Sequence, residues 1–332
     1  MALDRIRVGM IGCGGNARGH MGRLLNIDGV QIVGLCDTAQ ASLAATAEAH
    51  PSLAKLPQFS DYKQMLAEVQ MDAVEISTPH TSHYEQIMAS LDKGLHVLCE
   101  KPMVCEVQHA KEVIAKVNQT GLTMGVSYQR HYMAPCRYCR EKISGGQYGK
   151  CHFISCLQSQ NWYRGQVGRG TWRSKMALSG GGQLNDSGSH LLDIILWMTD
   201  LQPAEVFAFI DNLGAEIDIL TAMAVKFDGG AQANLAVVGH AVNFFEEITM
   251  WCEDATLAIR GNDVWLWEGG EQKQVITGED LGRTWTPDEN FIAAIRGEEE
   301  IQAPPECGLR VIQLTEAAWR SGDSGQKAVV VR

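Results

Sequence analysis

VGMIGCGGNARGHM, residues 8–21, passes from an apolar run into a cluster of glycines and then turns polar at helical spacing. A buried strand, a glycine turn and a helix start, in that order, bring a backbone close enough to cradle a pyrophosphate. Gly12 and Gly14 supply the tight turn and the close approach, Gly15 and Asn16 open the helix, and Ala17 takes the third small position of G-x-G-x-x-G/A. The glycines alone are a weak signal. Asp37 gives them meaning, standing twenty residues past Ala17 at the end of the next apolar run, VQIVGLCD. A carboxylate there accepts both hydroxyls of an adenosine ribose, with Thr38 beside it. Asp37 would repel a 2′-phosphate, and the following TAQASLAA holds no Arg or Lys to receive one, so the expected cofactor is NAD rather than NADP.

The runs IRVGMIG, VQIVGLCD, DAVEIST, HVLCE and LTMGVS alternate with segments of helical periodicity across residues 5–127. That alternation predicts an α/β Rossmann domain, a doubly wound parallel sheet, over residues 1–127. After about residue 150 the pattern changes to successive strand-like runs separated by turns such as FDGGA and IRGND. Residues 128–332 therefore read as an α+β domain with an open, mainly antiparallel sheet, closed by helices over Pro287–Arg296 and Pro305–Ser321. In VWLWEGG, Trp265 and Trp267 fall on the same side of a strand by the period of two.

The 332 residues carry 28 basic and 39 acidic side chains, a formal net charge of −11, with no dense Lys/Arg cluster, which argues against nucleic acid or an anionic membrane as partner. No apolar run approaches the ~20 residues that cross a bilayer, and MALDRIRVGM places charges where a signal peptide would be apolar, so the expected compartment is the cytoplasm. The ten cysteines are scattered, and several stand in apolar runs (Cys36, Cys99, Cys156), as reduced packing residues do. Cys136 and Cys139 make a C-x-x-C in a helical stretch with no second Cys or His pair at zinc-site spacing, and no metal is expected.

Two further stretches carry chemistry. ISTPHTSHYEQIMASLDKGLHVLCEKPM, residues 76–103, ends in Glu100-Lys101-Pro102, and SGGGQLNDSGSHLLDIILWMTD, residues 179–200, contains Asp186, His190 and Asp193 at the i, i+4, i+7 spacing of one helix face. Oxidising a secondary alcohol requires a base for the hydroxyl proton, and histidine titrates near neutrality. Lys101 follows the apolar run HVLC, at the carboxyl end of a parallel strand where open α/β sheets place ligands, and its ammonium can donate to a reacting oxygen. Together with the ending ENFIAAIRGEEEIQAPPECGLRVIQLTEAAWRS, these motifs resemble the Gfo/Idh/MocA oxidoreductase family over essentially the whole chain.

The resemblance implies Lys101 and His190 in catalysis with Asp186 beside them. On the cofactor side it implies Gly12, Gly14, Asp37, Thr78, Pro79, His83 and Glu100, to which Gly15, Asn16, Thr38 and Lys101 are added by position. It further implies a cis bond before Pro102 and a site in a cleft between the domains. His80 stands where many relatives have Asn, and Asn16 where many have an aliphatic residue. Tyr128 and Arg130 in VSYQRHY and Trp172 and Arg173 in RGTWRSK are substrate candidates, with packing or an ion pair as the competing reading for each. His20 is expected to be structural. The activity implied is NAD-dependent hydride transfer from a sugar, inositol or related polyol, in a homodimer or homotetramer built through the open sheet face. Alternatives within the resemblance are a non-catalytic ligand sensor and action on a dihydrodiol, a ketose or a glycoside.

Overall fold

A computed structural model describes residues 5–277 and 280–331, which divide into two compact units. The first contains six parallel strands, β1 (Ile6–Ile11), β2 (Val30–Cys36), β3 (Gln58–Phe59), β4 (Ala73–Ile76), β5 (His96–Cys99) and β6 (Met124–Val126), ordered β3-β2-β1-β4-β5-β6. The chain reverses its direction of winding between β1 and β4, and beyond the carboxyl ends of these strands lies the place where such sheets take ligands. Helices α1 (Gly15–Leu24), α2 (Gln40–Ala49), α3 (Tyr62–Glu68), α4 (His83–Asp92) and α5 (Val107–Thr120) link the strands, as the alternation predicts. Gly12 adopts φ +99°, and a Cβ there would come within 2.4 Å of the Ser77 carbonyl oxygen. Only glycine lets β1 turn this close to the end of β4.

The second unit places α6 (Ala134–Ser144), α7 (Met176–Ser179) and α8 (Ser187–Thr199) with a nine-stranded sheet. Its strands are β7 (Cys151–Ser159), β8 (Pro203–Asp211), β9 (Leu220–Phe227), β10 (Gln232–Val238), β11 (Phe245–Cys252), β12 (Ala255–Arg260), β13 (Asp263–Glu268), β14 (Glu271–Ile276) and β15 (Ala328–Val329). All pair antiparallel except β7 with β10. Strict alternation of buried and exposed residues along β9 leaves one face of that strand to solvent, and Trp265 and Trp267 stack with ring centres 6.2 Å apart.

The expectation of a continuous second domain over 128–332 is corrected by the segment 285–308, which belongs to the first unit. Within that segment α9 (Pro287–Arg296) buries Phe291 and Ile292 in the core formed by Ile6, Val8, Met10 and Leu24, and Val126 N–H donates to the Ala303 carbonyl at 2.8 Å. Thereafter α10 (Pro305–Ser324) leads into the second unit. Asp288 on α9 supplies a further tie. Its carboxylate meets Nδ1 of His20 at 2.8 Å and the Arg23 guanidinium, while Nε2 of His20 lies 3.1 Å from Glu100 and 3.7 Å from Glu75.

Burial alone would lower the pKa of His20, but the carboxylates of Glu75, Asp288 and Glu100 outweigh it and hold the ring as imidazolium, donating from both nitrogens. Burial likewise works against an ionised Asp288, yet His20 and Arg23 keep its pKa below the usual range. Glu75 is the carboxyl that burial forces up, to about 7, although His20 and the Ser77 hydroxyl pull the other way. Its Oε2 atom is buried with no hydrogen-bond partner among the described residues. The cluster thus sets two cations against two carboxylates and a third carboxyl that is neutral below about pH 7.

Two outcomes follow from these constraints. Gly12→Ala should destabilise the protein by more than about 1 kcal/mol, whereas Gly14→Ala, whose Cβ would meet nothing within 4 Å, should stay within about 0.5 kcal/mol of the wild type. Urea unfolding midpoints compare them. Because the folded pKa of Glu75 lies above its ordinary 4.5, an unfolded chain ionises first as pH rises. This group therefore reduces stability between about pH 4.5 and 7, by roughly 3 kcal/mol in total. Glu75→Gln should remove that part of the slope. An unchanged profile of unfolding free energy against pH would mean that Glu75 is ionised in the fold.

Candidate functional site

In the first unit the glycine turn is held from two sides. Asp37, just past the end of β2, accepts the Cys13 N–H on Oδ2 at 2.8 Å and the Ala39 N–H on Oδ1 at 2.8 Å. Each oxygen keeps a second lone pair. Gly14 is the N-cap of α1 and makes no side-chain cap, the first turn carries no acidic residue, and a Cβ on Gly14 or Gly15 would meet nothing within 4 Å. Asn16 and Gly15 are exposed in that first turn, and Thr38 is exposed beside Asp37. An open helix N-terminus, a cradle free of side chains and a carboxylate at the end of the neighbouring strand fit a dinucleotide.

The loops after β4 and β5 are strapped together by His83. Its Nε2 lies 3.0 Å from the Thr78 carbonyl and its Nδ1 2.8 Å from the Pro102 carbonyl; burial lowers its pKa, and the two carbonyls oppose that shift because only the imidazolium donates to both. Thr78 donates its hydroxyl to Gln86 at 2.5 Å, and Pro79 follows it at the start of the short turn 80–82, where His80 is buried. The bond between Lys101 and Pro102 is cis. Glu100 receives the His20 ring on Oε1 and the Lys101 N–H on Oε2 at 3.1 Å, and Lys101 itself is buried. His83 and Glu100 thus position the loops carrying Thr78 and Lys101. Tyr128, at the end of the first unit, is fully buried.

In the second unit, Asp186 stands one residue ahead of α8 as its N-cap, where the spacing alone predicts a helix running from it. Its Oδ2 accepts the indole N–H of Trp162 at 2.8 Å and lies 3.2 Å from Nε of Arg173, whose guanidinium also covers the Trp172 ring. His190 follows one turn later. Across residues 188–198 it alone is not buried, while the end residues Ser187 and Thr199 are half-buried. Asp193, one turn further, is taken up by Nε2 of His131 at 2.7 Å, and that ring stacks on Trp197. The two carboxylates flanking His190 therefore have different partners. Arg130 forms an ion pair with Glu246 at 2.6 Å, the competing reading given for it.

Several of these partners leave no readable sign in the sequence. Trp162, His131 and Asp218 act only through tertiary packing. Asp218 anchors the glycine loop before α8 by accepting the N–H groups of Gly182 and Leu184 and the indole of Trp319, although burial raises its pKa. Among the described residues no helix is long and apolar enough to cross a membrane.

Residues 6–128 match the model of the oxidoreductase family with an NAD-binding Rossmann fold, and residues 136–258 match the GFO/IDH/MocA C-terminal domain. The chain is 23% identical to D-glucoside 3-dehydrogenase of Escherichia coli, over 98% of each protein. It is 26% identical to 4-carboxy-2-hydroxymuconate-6-semialdehyde dehydrogenase of a Sphingobium strain, over 89% of this chain and 92% of that one. In fold it resembles the WlbA dehydrogenase from Bordetella pertussis, solved with NADH and UDP-GlcNAcA, with a TM-score of 0.87, 23% identity and coverage of 100% of this chain and 99% of that one. A nucleotide cradle at the carboxyl end of β1, an E-K-P loop after β5 and a C-terminal domain of the matching type together make this chain a member of the Gfo/Idh/MocA oxidoreductase family.

Proposed function

We propose that this protein is an NAD-dependent dehydrogenase that oxidises, reversibly, a hydroxyl of a sugar, inositol or related polyol. The observation that carries the reading is His190, the one residue of 188–198 on α8 that is not buried, beside a carboxylate already fixed by Trp162 and Arg173. When bound, NAD supplies the hydride acceptor. Gly12, Gly14, Gly15 and Asn16 would hold its pyrophosphate, and Asp37 with Thr38 its adenosine ribose. The loops of Thr78-Pro79 and Glu100-Lys101 would flank the other half.

Each remaining step belongs to a side chain of the protein. His190 takes the proton of the carbinol hydroxyl, a task suited to a group that titrates near neutrality. Lys101 donates to the same oxygen and stabilises its developing negative charge, most effectively because it is buried. Asp186, held by two donors, fixes the electrostatic environment at the start of α8. The preference for NAD over NADP rests on the Asp37 carboxylate, since a 2′-phosphate would meet its negative charge.

NADH formation, followed by absorbance over a panel of inositols, aldoses and glucosides, gives the substrate against which the variants are read. His190→Ala should lower turnover on it by roughly 10²–10⁴-fold while NADH still binds. Lys101→Ala should lower turnover and raise KM together, because one ammonium both orients the hydroxyl and stabilises its oxygen. Full turnover in His190→Ala would send the proton elsewhere.

A further inference from the structure

The antiparallel pair β7 and β11 sets Cys151 directly opposite Cys252, one step before a bulge in the ladder. Next to it, Glu253 N–H donates to the Lys150 carbonyl at 3.1 Å and Lys150 N–H to the Glu253 carboxylate at 3.0 Å. Directly opposed residues of an antiparallel pair have Cα atoms about 4.5–5.5 Å apart. Disulfides span Cα separations of roughly 4.4–6.8 Å, which includes that spacing. Opposed residues also share a face of the sheet. All ten cysteines are thiols in this structure.

We propose that Cys151 and Cys252 form an oxidation site that consumes a hydroperoxide and closes into a cross-strand disulfide. The inference is independent of which alcohol the protein oxidises. Cys252 is the more accessible residue of the two: it is only part-buried and borders a groove of about 860 Å³ with Trp251, Glu253 and Asp254. Cys151 is buried behind it. The Cys151 thiol donates to the Phe153 carbonyl at 3.7 Å; the neighbouring Cys252 and burial raise the pKa of Cys151, while the nearby Cys151 lowers that of Cys252. The thiol easier to ionise thus belongs to the more exposed residue, and only a thiolate attacks at a useful rate.

The chemistry balances in two steps. The Cys252 thiolate attacks one peroxide oxygen, the O–O bond breaks, and hydroxide leaves a sulfenic acid on Cys252. The Cys151 sulfur then attacks that sulfenic sulfur, the S–O bond breaks, and the hydroxyl departs as water with the Cys151 proton. In total, two thiols and one hydrogen peroxide give one disulfide and two waters. The sheet already holds the partners in register, so the second step needs no large backbone movement.

The test uses the full chain, first reduced, then treated with hydrogen peroxide near stoichiometry, quenched with N-ethylmaleimide and mapped by mass spectrometry. The expected result is loss of two alkylatable thiols of the ten, a peptide joining Cys151 to Cys252, and recovery of both thiols with dithiothreitol. Cys151→Ser should leave Cys252 as a sulfenic acid trappable by dimedone, with no cross-linked peptide. Ten thiols remaining, loss of two through another pair such as Cys136 and Cys139, or an undiminished loss in a Cys151→Ser/Cys252→Ser double variant would each overturn the proposal. The wild-type map decides even if a serine variant fails to fold.

Discussion

The bond from the Cys13 N–H to the Asp37 carboxylate joins the two features on which the nucleotide site depends. It ties the turn after β1 to the end of β2 while Gly12, at φ +99°, lets that turn pass against the Ser77 carbonyl. Three strand ends are thereby drawn together without a side chain between them. The acid that would select the ribose is therefore the same one that shapes the phosphate cradle. Its second bond, to Ala39 N–H, aims the carboxylate and leaves a lone pair on each oxygen.

Charge buried below this turn is arranged with similar economy. His20 stays cationic because carboxylates face both ring nitrogens, and burial raises Glu75 to about 7, so that it ionises only as pH approaches neutrality. The arrangement has a functional side. His20 grips Glu100, Glu100 accepts the Lys101 N–H, and His83 straps the same loop to the carbonyl of Thr78. In the second unit Trp162 and Arg173 do the corresponding work for Asp186, and His131 for Asp193. Side chains outside the recognised motifs thus position those within them.

The elements with strong local signals were legible in the sequence. Strand, glycine turn, helix and acid stand in register at Gly12 to Asp37, and α9 appears at Pro287–Arg296 as expected because Thr286 and Glu289 form a capping box and Gly297 ends it at φ +74°. What failed was contiguity: nothing in ENFIAAIRG says that Phe291 and Ile292 complete a core begun at Ile6. The apolar run around Cys156 was legible, but the central place of β7 in the second sheet and its parallel pairing with β10 are properties of topology. The partners of Asp186 and Asp193 were hidden for a related reason. Trp162 and His131 lie 24 and 62 residues from their carboxylates, beyond any periodicity.

The central claim, that the turn held by Asp37 binds a dinucleotide with a free ribose diol, is tested most directly by titrating NADH and NADPH into the wild type and Asp37→Ala. Quenching of tryptophan fluorescence reports binding. The account predicts tighter NADH than NADPH binding in the wild type and loss of most of that preference in the variant, as the carboxylate ceases to repel the phosphate and to accept the diol. Equal or tighter NADPH binding by the wild type, or an unchanged preference in Asp37→Ala, would contradict it.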